Sequence, residues 1–263
     1  MSARDHALPR ARKRFGQHFL RDAGVIDAIL EAARIEPGDR VVEIGPGRGA
    51  LTGQLLAAAG SLDVIELDRD LAALLRTQYA TRPTLRVHAA DALDFDFAAL
   101  AAERGGPLRI IGNLPYNIST PLIFRLLDFA ASIKDLFVML QREVIDRMAA
   151  GPGDAAYGRL SVMLAPWMHV EPLFDVPPDA FSPPPKVWSS VARITVARAP
   201  VFPVRPGFTA VVSAAFSHRR KTIRNALRGL VSAEQIEAAG VALSARPETL
   251  SAQDFNRLAG ALD

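Results

Sequence analysis

The stretch Glu43-Ile44-Gly45-Pro46-Gly47-Arg48-Gly49 decides how the rest of the chain is read. Residues 40–44 read as a short buried strand running into the glycines, and a helical pattern opens behind them. Glycine lets the backbone turn tightly and lets a ligand come close. The helix N-terminus behind the loop favours a carboxylate or a phosphate. The spacing G-x-G-x-G is not the full dinucleotide fingerprint G-x-G-x-x-G, and a tight strand-to-helix turn without a ligand leaves the same trace. Working outward, Glu66 ends the next strand-like run, residues 61–66, where a carboxylate accepts both hydroxyls of a ribose. Asp91 ends a third strand region within Ala89-Ala90-Asp91-Ala92, a place from which it can accept from an adenine amine. Either acid alone also suits a helix cap. Asp68 is the better cap after Glu66, which leaves Glu66 for a ligand. Glycine turn, ribose acid and adenine acid in this order point to a nucleoside-bearing cofactor.

Strand-like and helix-like segments alternate around this core. Asp22 is placed to cap a helix carrying Val25, Ile26, Ile29, Leu30 and Ala33, which Pro37-Gly38-Asp39 breaks. Residues 68–79 and 121–130 read as helices, and residues 84–88, 108–111 and 136–140 as strands. Such alternation predicts an α/β fold with a mostly parallel sheet, its ligands beyond the carboxyl ends of the strands. Pro172, Pro177, Pro178, Pro183, Pro184 and Pro185 crowd the region before a late strand at 187–196. Pro200, Pro203 and Pro206 mark a linker, and residues 208–263 hold only helical patterns and turns. The expected division is a large α/β domain over residues 1–200, beginning with a basic arm, and a small α-helical domain over 201–263.

The 263 residues contain no cysteine, which excludes a disulfide framework, a thiolate metal site and a cysteine nucleophile. No apolar run approaches the ~18 residues that cross a bilayer, and the basic N-terminus is not followed by a signal-like apolar stretch. The reading is a cytosolic, cytoplasmic protein without membrane or metal, with nothing against a monomer. Net charge is only +3, but its distribution is uneven. Arg10, Arg12, Lys13, Arg14 and Arg21 crowd one end, and Arg219, Arg220, Lys221, Arg224 and Arg228 the other. Two basic clusters suggest a polyanionic partner. Arg220, Arg224 and Arg228 are spaced four apart and on one helix would form a single phosphate-binding face.

Asn113-Leu114-Pro115-Tyr116 follows the strand at 108–111. An adenine exocyclic amine is a poor nucleophile because its lone pair is conjugated into the ring. Acceptors for its N–H groups, the Asn113 side-chain carbonyl and a backbone carbonyl near Leu114, would favour a pyramidal nitrogen and orient it. Pro115 stiffens the turn, and Tyr116 offers a flat face on which an extruded base stacks.

With these residues in view, the chain resembles the KsgA family, the small-subunit ribosomal RNA adenine dimethyltransferases. The resemblance is carried by residues 13–20 (Lys-Arg-Phe-Gly-Gln-His-Phe-Leu), 42–49, 64–68, 112–120 (Gly-Asn-Leu-Pro-Tyr-Asn-Ile-Ser-Thr), 140–144, 157–162, 181–187 (Phe-Ser-Pro-Pro-Pro-Lys-Val) and 216–225. It covers about residues 13–260. It implies a Rossmann-like class I methyltransferase domain with a small C-terminal helical domain, and S-adenosyl-L-methionine as methyl donor. It implies 16S rRNA in the immature small ribosomal subunit as partner, with two adjacent adenosines dimethylated and a part in subunit biogenesis. By position, His18, Leu20, Gly45, Gly47, Glu66, Asp91 and Asn113 match the cofactor contacts, though the family commonly carries asparagine where this chain has His18. Asn113, Leu114, Pro115 and Tyr116 match the amine-binding motif, Phe181 an aromatic that stacks on the target base, and Arg219–Arg228 a region of ribosome contact. Two other readings are a large-subunit adenine methyltransferase of the macrolide-resistance type and a non-catalytic assembly factor. The intact glycine loop and Asn113 speak against the latter, and an NAD oxidoreductase leaves residues 113–116 without a role.

Overall fold

A computed structural model describes residues 9, 12, 16–217 and 220–262. Of the basic clusters, Arg10, Lys13, Arg14 and Arg219 therefore lie outside the described residues.

In chain order the elements are β1 (Phe19–Leu20), α1 (Ala23–Ala33), β2 (Val41–Ile44), α2 (Thr52–Ala59), β3 (Leu62–Ile65), α3 (Arg69–Gln78), β4 (Leu85–His88), α4 (Phe97–Glu103), β5 (Leu108–Asn113), α5 (Ser119–Leu127) and β6 (Ile133–Gln141). There follow α6 (Arg142–Ala149), α7 (Arg159–Leu164), β7 (Met168–Val176), β8 (Phe181–Ser182), β9 (Ser189–Val196), α8 (Phe208–Ala215), α9 (Ile223–Ala226), α10 (Ala233–Ala238) and α11 (Ala252–Ala259). The main sheet has the order β4-β3-β2-β5-β6-β9-β7. Strands β2 to β6 pair in parallel, and β9 runs antiparallel to β6. The order reverses beside β2, whose two neighbours are β3 and β5. A crevice opens at such a switch point beyond the strands' carboxyl ends.

Local chemistry explains the boundaries. The Asp22 and Asp68 side chains cap α1 and α3 by accepting from the N–H groups of Val25 and Asp70. The strand β7 was not legible because of its proline. It lies at the end of the sheet order, and an edge strand tolerates Pro172 because one row of its N–H groups needs no ladder partner. At the opposite end of the central strands from the crevice, the buried Arg109 guanidinium binds both Asp135 carboxylate oxygens (2.9 and 3.0 Å), Asp39 (2.7 Å) and the Ala33 carbonyl (2.8 Å). That ties the end of α1 to β5 and β6. Removing one partner of so buried a pair costs about 3–5 kcal/mol.

The chain divides into two compact units, Met1–Arg142 with Pro172–Val196, and Glu143–Glu171 with Ala197–Asp263. A single cut at residue 200 is thus corrected: residues 143–171 belong with the C-terminal helices. Val162 is buried in one apolar cluster with Phe208, Val211, Ile223, Phe255 and Leu258. The Tyr157 hydroxyl donates to the Leu250 carbonyl (2.7 Å), and the Gly153 N–H to that of Glu248 (2.8 Å). Within this unit α10 and α11 start with reciprocal caps, Ser232 with Gln235 and Ser251 with Asp254.

Candidate active site

One cleft of roughly 1050 Å³, counted out to its open mouth, lies at the carboxyl ends of β2 to β5. Its wall is built from the glycine loop, Glu66, Asp91, residues 113–118 and the N-terminal segment 16–20. Of the expected site residues, His18, Leu20, Gly45, Gly47, Glu66, Asp91, Asn113, Leu114, Pro115 and Tyr116 are all in it.

The loop needs its glycines. Gly45, Gly47 and Gly49 have φ of 67°, 58° and 85°, a region side chains rarely adopt. A Cβ on Gly47 would come within 3.0 Å of the Phe19 ring, and one on Gly45 within 3.5 Å of the Asn113 carbonyl oxygen. The sharpest case is Gly112 on β5, where a Cβ would stand 2.3 Å from the Ile44 carbonyl oxygen. Sequence reading gave Gly112 no role. Its signal lay in its place, one residue before Asn113 at the end of a strand that is buried from Leu108 to Gly112.

Glu66 holds the loop as well as facing the cleft. Its carboxylate accepts from the N–H groups of Gly47 (3.1 Å) and Asp68 (2.9 Å), one on each oxygen. A carboxylate has about four acceptor sites, so capacity for a ribose diol remains on both oxygens. Burial raises its pKa, against the pull of the Asp68 and Gly47 N–H groups. Asp91 accepts from the Leu93 N–H through one oxygen (2.9 Å), leaving the other for a ligand. Glu43, which sequence reading used only as a strand residue, also lines the cleft. Burial pushes its carboxyl up to about 8, although the Thr52 hydroxyl donates to it (2.6 Å); the neighbouring Glu66 adds to the rise. Glycine cradle, paired acceptor acids and apolar floor fit a nucleoside with a charged tail, as S-adenosylmethionine is.

The other half of the cleft is set by a chain of contacts through the N-terminal segment. The Asn113 side-chain NH2 donates to the His18 carbonyl (2.9 Å), and its Oδ1 accepts no hydrogen bond from a described residue. The Leu114 N–H is taken by the Met139 carbonyl (3.1 Å), while the Leu114 carbonyl accepts from no described residue. The Tyr116 hydroxyl bonds Ser189 Oγ (2.5 Å), and burial raises its pKa against that bond. The His18 ring stacks on Tyr116 with centroids 5.6 Å apart at 28°, and its Nδ1 donates to the Pro183 carbonyl (2.7 Å). Histidine thus fills this position by bracing Tyr116 as well as facing the cleft.

Two expectations are corrected here. Phe181 is fully buried and is no part of the cleft wall. It pairs across from Leu20 in the small antiparallel β1–β8 ribbon and packs into the core with Ala180 and Val191. Its place in the structure is in the core, where it holds the N-terminal segment down. Arg12 of the basic arm is not free for phosphate. It pairs with Asp68 (3.0 Å) and Asp70 (2.5 Å), while Arg48 donates to the Pro9 carbonyl (2.8 Å).

A third correction concerns the C-terminal unit. Arg220, Arg224 and Arg228 do not share a helix. Arg220 sits in a turn with φ of 68°, α9 has only four residues, and Arg228 follows in a turn that Gly229 closes at φ of 85°. The buried Ile223 and Leu227 set the inward side of this short segment, and the Ile223 N–H is held by the Ala245 carbonyl (2.7 Å). Arg220, Lys221, Arg224 and Arg228 are nonetheless all exposed, and none forms a direct ion pair with an acid among the described residues. Among those residues, too, no group of His, Asp or Glu is placed to hold a metal, and no helix is long and apolar enough to cross a membrane.

Comparison with known proteins bears on all of this. Residues 9–263 match the family model described as ribosomal RNA adenine dimethylase. The proteins named ribosomal RNA small subunit methyltransferase A of Pseudomonas syringae pv. tomato and of Marinobacter nauticus are 53% and 50% identical over 255 residues, covering 96% of this chain and 95% and 92% of theirs. Among solved structures, a dimethyladenosine transferase from Plasmodium falciparum is similar with a TM-score of 0.76 at 25% identity, over 92% of this chain and 96% of that one. The 23S rRNA methyltransferase ErmE is similar with a TM-score of 0.72 at 28% identity, over 93% and 99%. The chain belongs to the ribosomal RNA adenine dimethylase family, whose members are methyltransferases that use S-adenosylmethionine.

Proposed function

We propose that this enzyme dimethylates the exocyclic amines of two adjacent adenosines in 16S rRNA, acting as a cytoplasmic monomer on the immature small ribosomal subunit. The observation that carries the reading is the orientation of Asn113: one N–H of its amide donates to the His18 carbonyl, which leaves Oδ1 as an acceptor in the cleft wall. S-adenosylmethionine, when bound, supplies an electrophilic methyl carbon. In the first transfer Asn113 Oδ1 and the Leu114 carbonyl accept the two N–H groups of the amine, which draws the nitrogen toward a pyramidal shape and orients its lone pair. Each transfer releases one amine proton to water, so in the second the single remaining N–H engages one of these acceptors. Pro115 limits the motion of the turn that carries both acceptors. Tyr116, held between Ser189 and His18, presents a face to the base, which must leave any stack to enter. Glu66 and Asp91 are the acceptors for ribose and adenine, and Gly45 and Gly47 let the ligand approach the backbone. Leu20 closes the wall from β1. Arg219, Arg220, Lys221, Arg224 and Arg228 supply phosphate contacts that position the RNA without specifying a base.

The names of the 50–53% identical relatives support the small subunit as substrate. The likeness to ErmE keeps a large-subunit substrate as the alternative. Transfer of labelled methyl groups to unmethylated small subunits and to unmethylated large-subunit RNA, side by side, separates the two. The proposal expects label in the small subunit alone. Label in large-subunit RNA alone overturns the substrate assignment, and tight subunit binding without transfer points to an assembly factor.

A further inference from the structure

The segment from Ser182 to Ser189 bonds two residues of the cleft wall, His18 and Tyr116, and is anchored at both ends. The Pro183 carbonyl accepts from His18 Nδ1 (2.7 Å), and Ser189 Oγ bonds the Tyr116 hydroxyl (2.5 Å). Between the anchors, Pro185 is buried, whereas Lys186, Val187 and Trp188 are exposed. Trp188 keeps 49% and Val187 44% of its surface in water, two of the four large apolar side chains exposed to this degree among the described residues. Single surface apolars need no explanation. Two in sequence beside a cation, on a segment held rigid at the active tyrosine, do. The Trp188 backbone is fixed as well, its carbonyl accepting from the Arg142 N–H (3.0 Å). Lys186 pairs with no acid among the described residues.

We infer that Trp188, with Val187 and Lys186, is a stacking platform for a single-stranded RNA nucleotide next to the adenosine being methylated, an inference that rests on the RNA-directed reading above. Aromatic faces that receive bases beside a free cation are how single strands are held without sequence readout. A base extruded into the cleft also leaves a gap in its own strand, and its unstacked neighbour needs a new partner. Trp188 directly precedes Ser189, which bonds Tyr116, so the segment that carries the platform is tied to the tyrosine through that contact.

The protein's two tryptophans make this testable directly. In a Trp167→Phe background, the emission of Trp188 is followed while a single-stranded RNA with two adjacent adenosines is added. Saturable quenching is expected, with little from a blunt duplex. In steady-state transfer to the ribosomal substrate, Trp188→Ala should raise KM about tenfold at nearly unchanged kcat, and Trp188→Phe should restore most of it. Lys186→Ala should lower the salt slope of binding by about 0.7. A flat emission signal on RNA addition, or a Trp188→Ala effect confined to kcat, overturns the platform. The emission readout needs no turnover, so a failure of the methyl-transfer reading is distinguishable from a failure of this one.

Discussion

The cleft wall and the basic segment from Arg220 to Arg228 are both candidate contacts to RNA or cofactor, yet they are built on opposite terms. In the wall, nearly every group has a fixed partner. Gly112 has no room for a Cβ, Glu66 is bonded to two backbone N–H groups, and the Asn113 amide is oriented by its bond to the His18 carbonyl with its oxygen left as an acceptor. In the basic segment, Arg220, Lys221, Arg224 and Arg228 are exposed on and around a four-residue helix and form no direct ion pair with a described acid. Chemistry needs one geometry, and a wall of fixed groups supplies it. Attraction to a phosphate backbone needs charge at about the right distance, which a loose cluster supplies equally well. Changes in the wall should therefore alter turnover or folding steeply, and changes in the cluster should act in small, salt-dependent steps.

The largest effect is expected at Asn113. Asn113→Ala should lower the rate of methyl transfer at saturating substrates at least about 10²-fold, in line with losing one positioning contact, while cofactor binding by calorimetry survives in part. Equal activity would remove Asn113 from the mechanism and erase the contrast. Next comes Gly112→Ala, which should cost about 3 kcal/mol or more, since a Cβ there meets rigid backbone and overpacking in general costs 1–3 kcal/mol. Urea unfolding measures it, and an unchanged midpoint would show that β5 can move away from Ile44. Smaller again, reversing charge at Arg220 and Arg224 together should weaken RNA binding about tenfold near physiological salt. It should also reduce the slope of log K against log salt by about 1.4. A kcat loss at unchanged slope would show that the segment is held to one geometry, like the wall.

A different kind of effect is a pH dependence from Glu43, whose carboxyl burial pushes up to about 8 from an ordinary 4.5. The folded state keeps this proton in a window where the unfolded chain has already released it. The contribution to stability is therefore complete below about pH 4.5 and declines as pH rises through that window to about 8. Glu43→Gln lacks the decline, so the variant should gain stability relative to the parent between pH 5 and pH 8.5. A constant difference across that range would mean that Glu43 is not held protonated.

The same contrast explains what was legible in the sequence. Glycine spacing, Glu66 and residues 113–116 were readable because each imposes a local constraint that few residue types meet, and the cleft gathers them as expected. The helix caps at Asp22 and Asp68 were readable for the same reason. What failed depended on contacts far apart in the chain. Phe181 read as a site aromatic because its burial against Leu20 is a tertiary fact. Residues 143–171 read as part of the first domain because only packing against Phe208 and Phe255 draws Val162 elsewhere. A spacing of four between arginines suggested one helix, but the buried pair Ile223 and Leu227, flanked by turns at Arg220 and Gly229, limits that helix to a single turn. The bracing of Tyr116 by His18 joins residues 98 positions apart and leaves no trace in either local pattern.

The most direct test of the account is to incubate unmethylated small ribosomal subunits with the protein and S-adenosylmethionine, then digest the RNA and identify its nucleosides by mass spectrometry. The account predicts dimethyladenosine in adjacent positions of 16S rRNA, dependent on the methyl donor and absent with Asn113→Ala. Methyl groups found on any other nucleoside, or full dimethylation by the Asn113 variant, would contradict it.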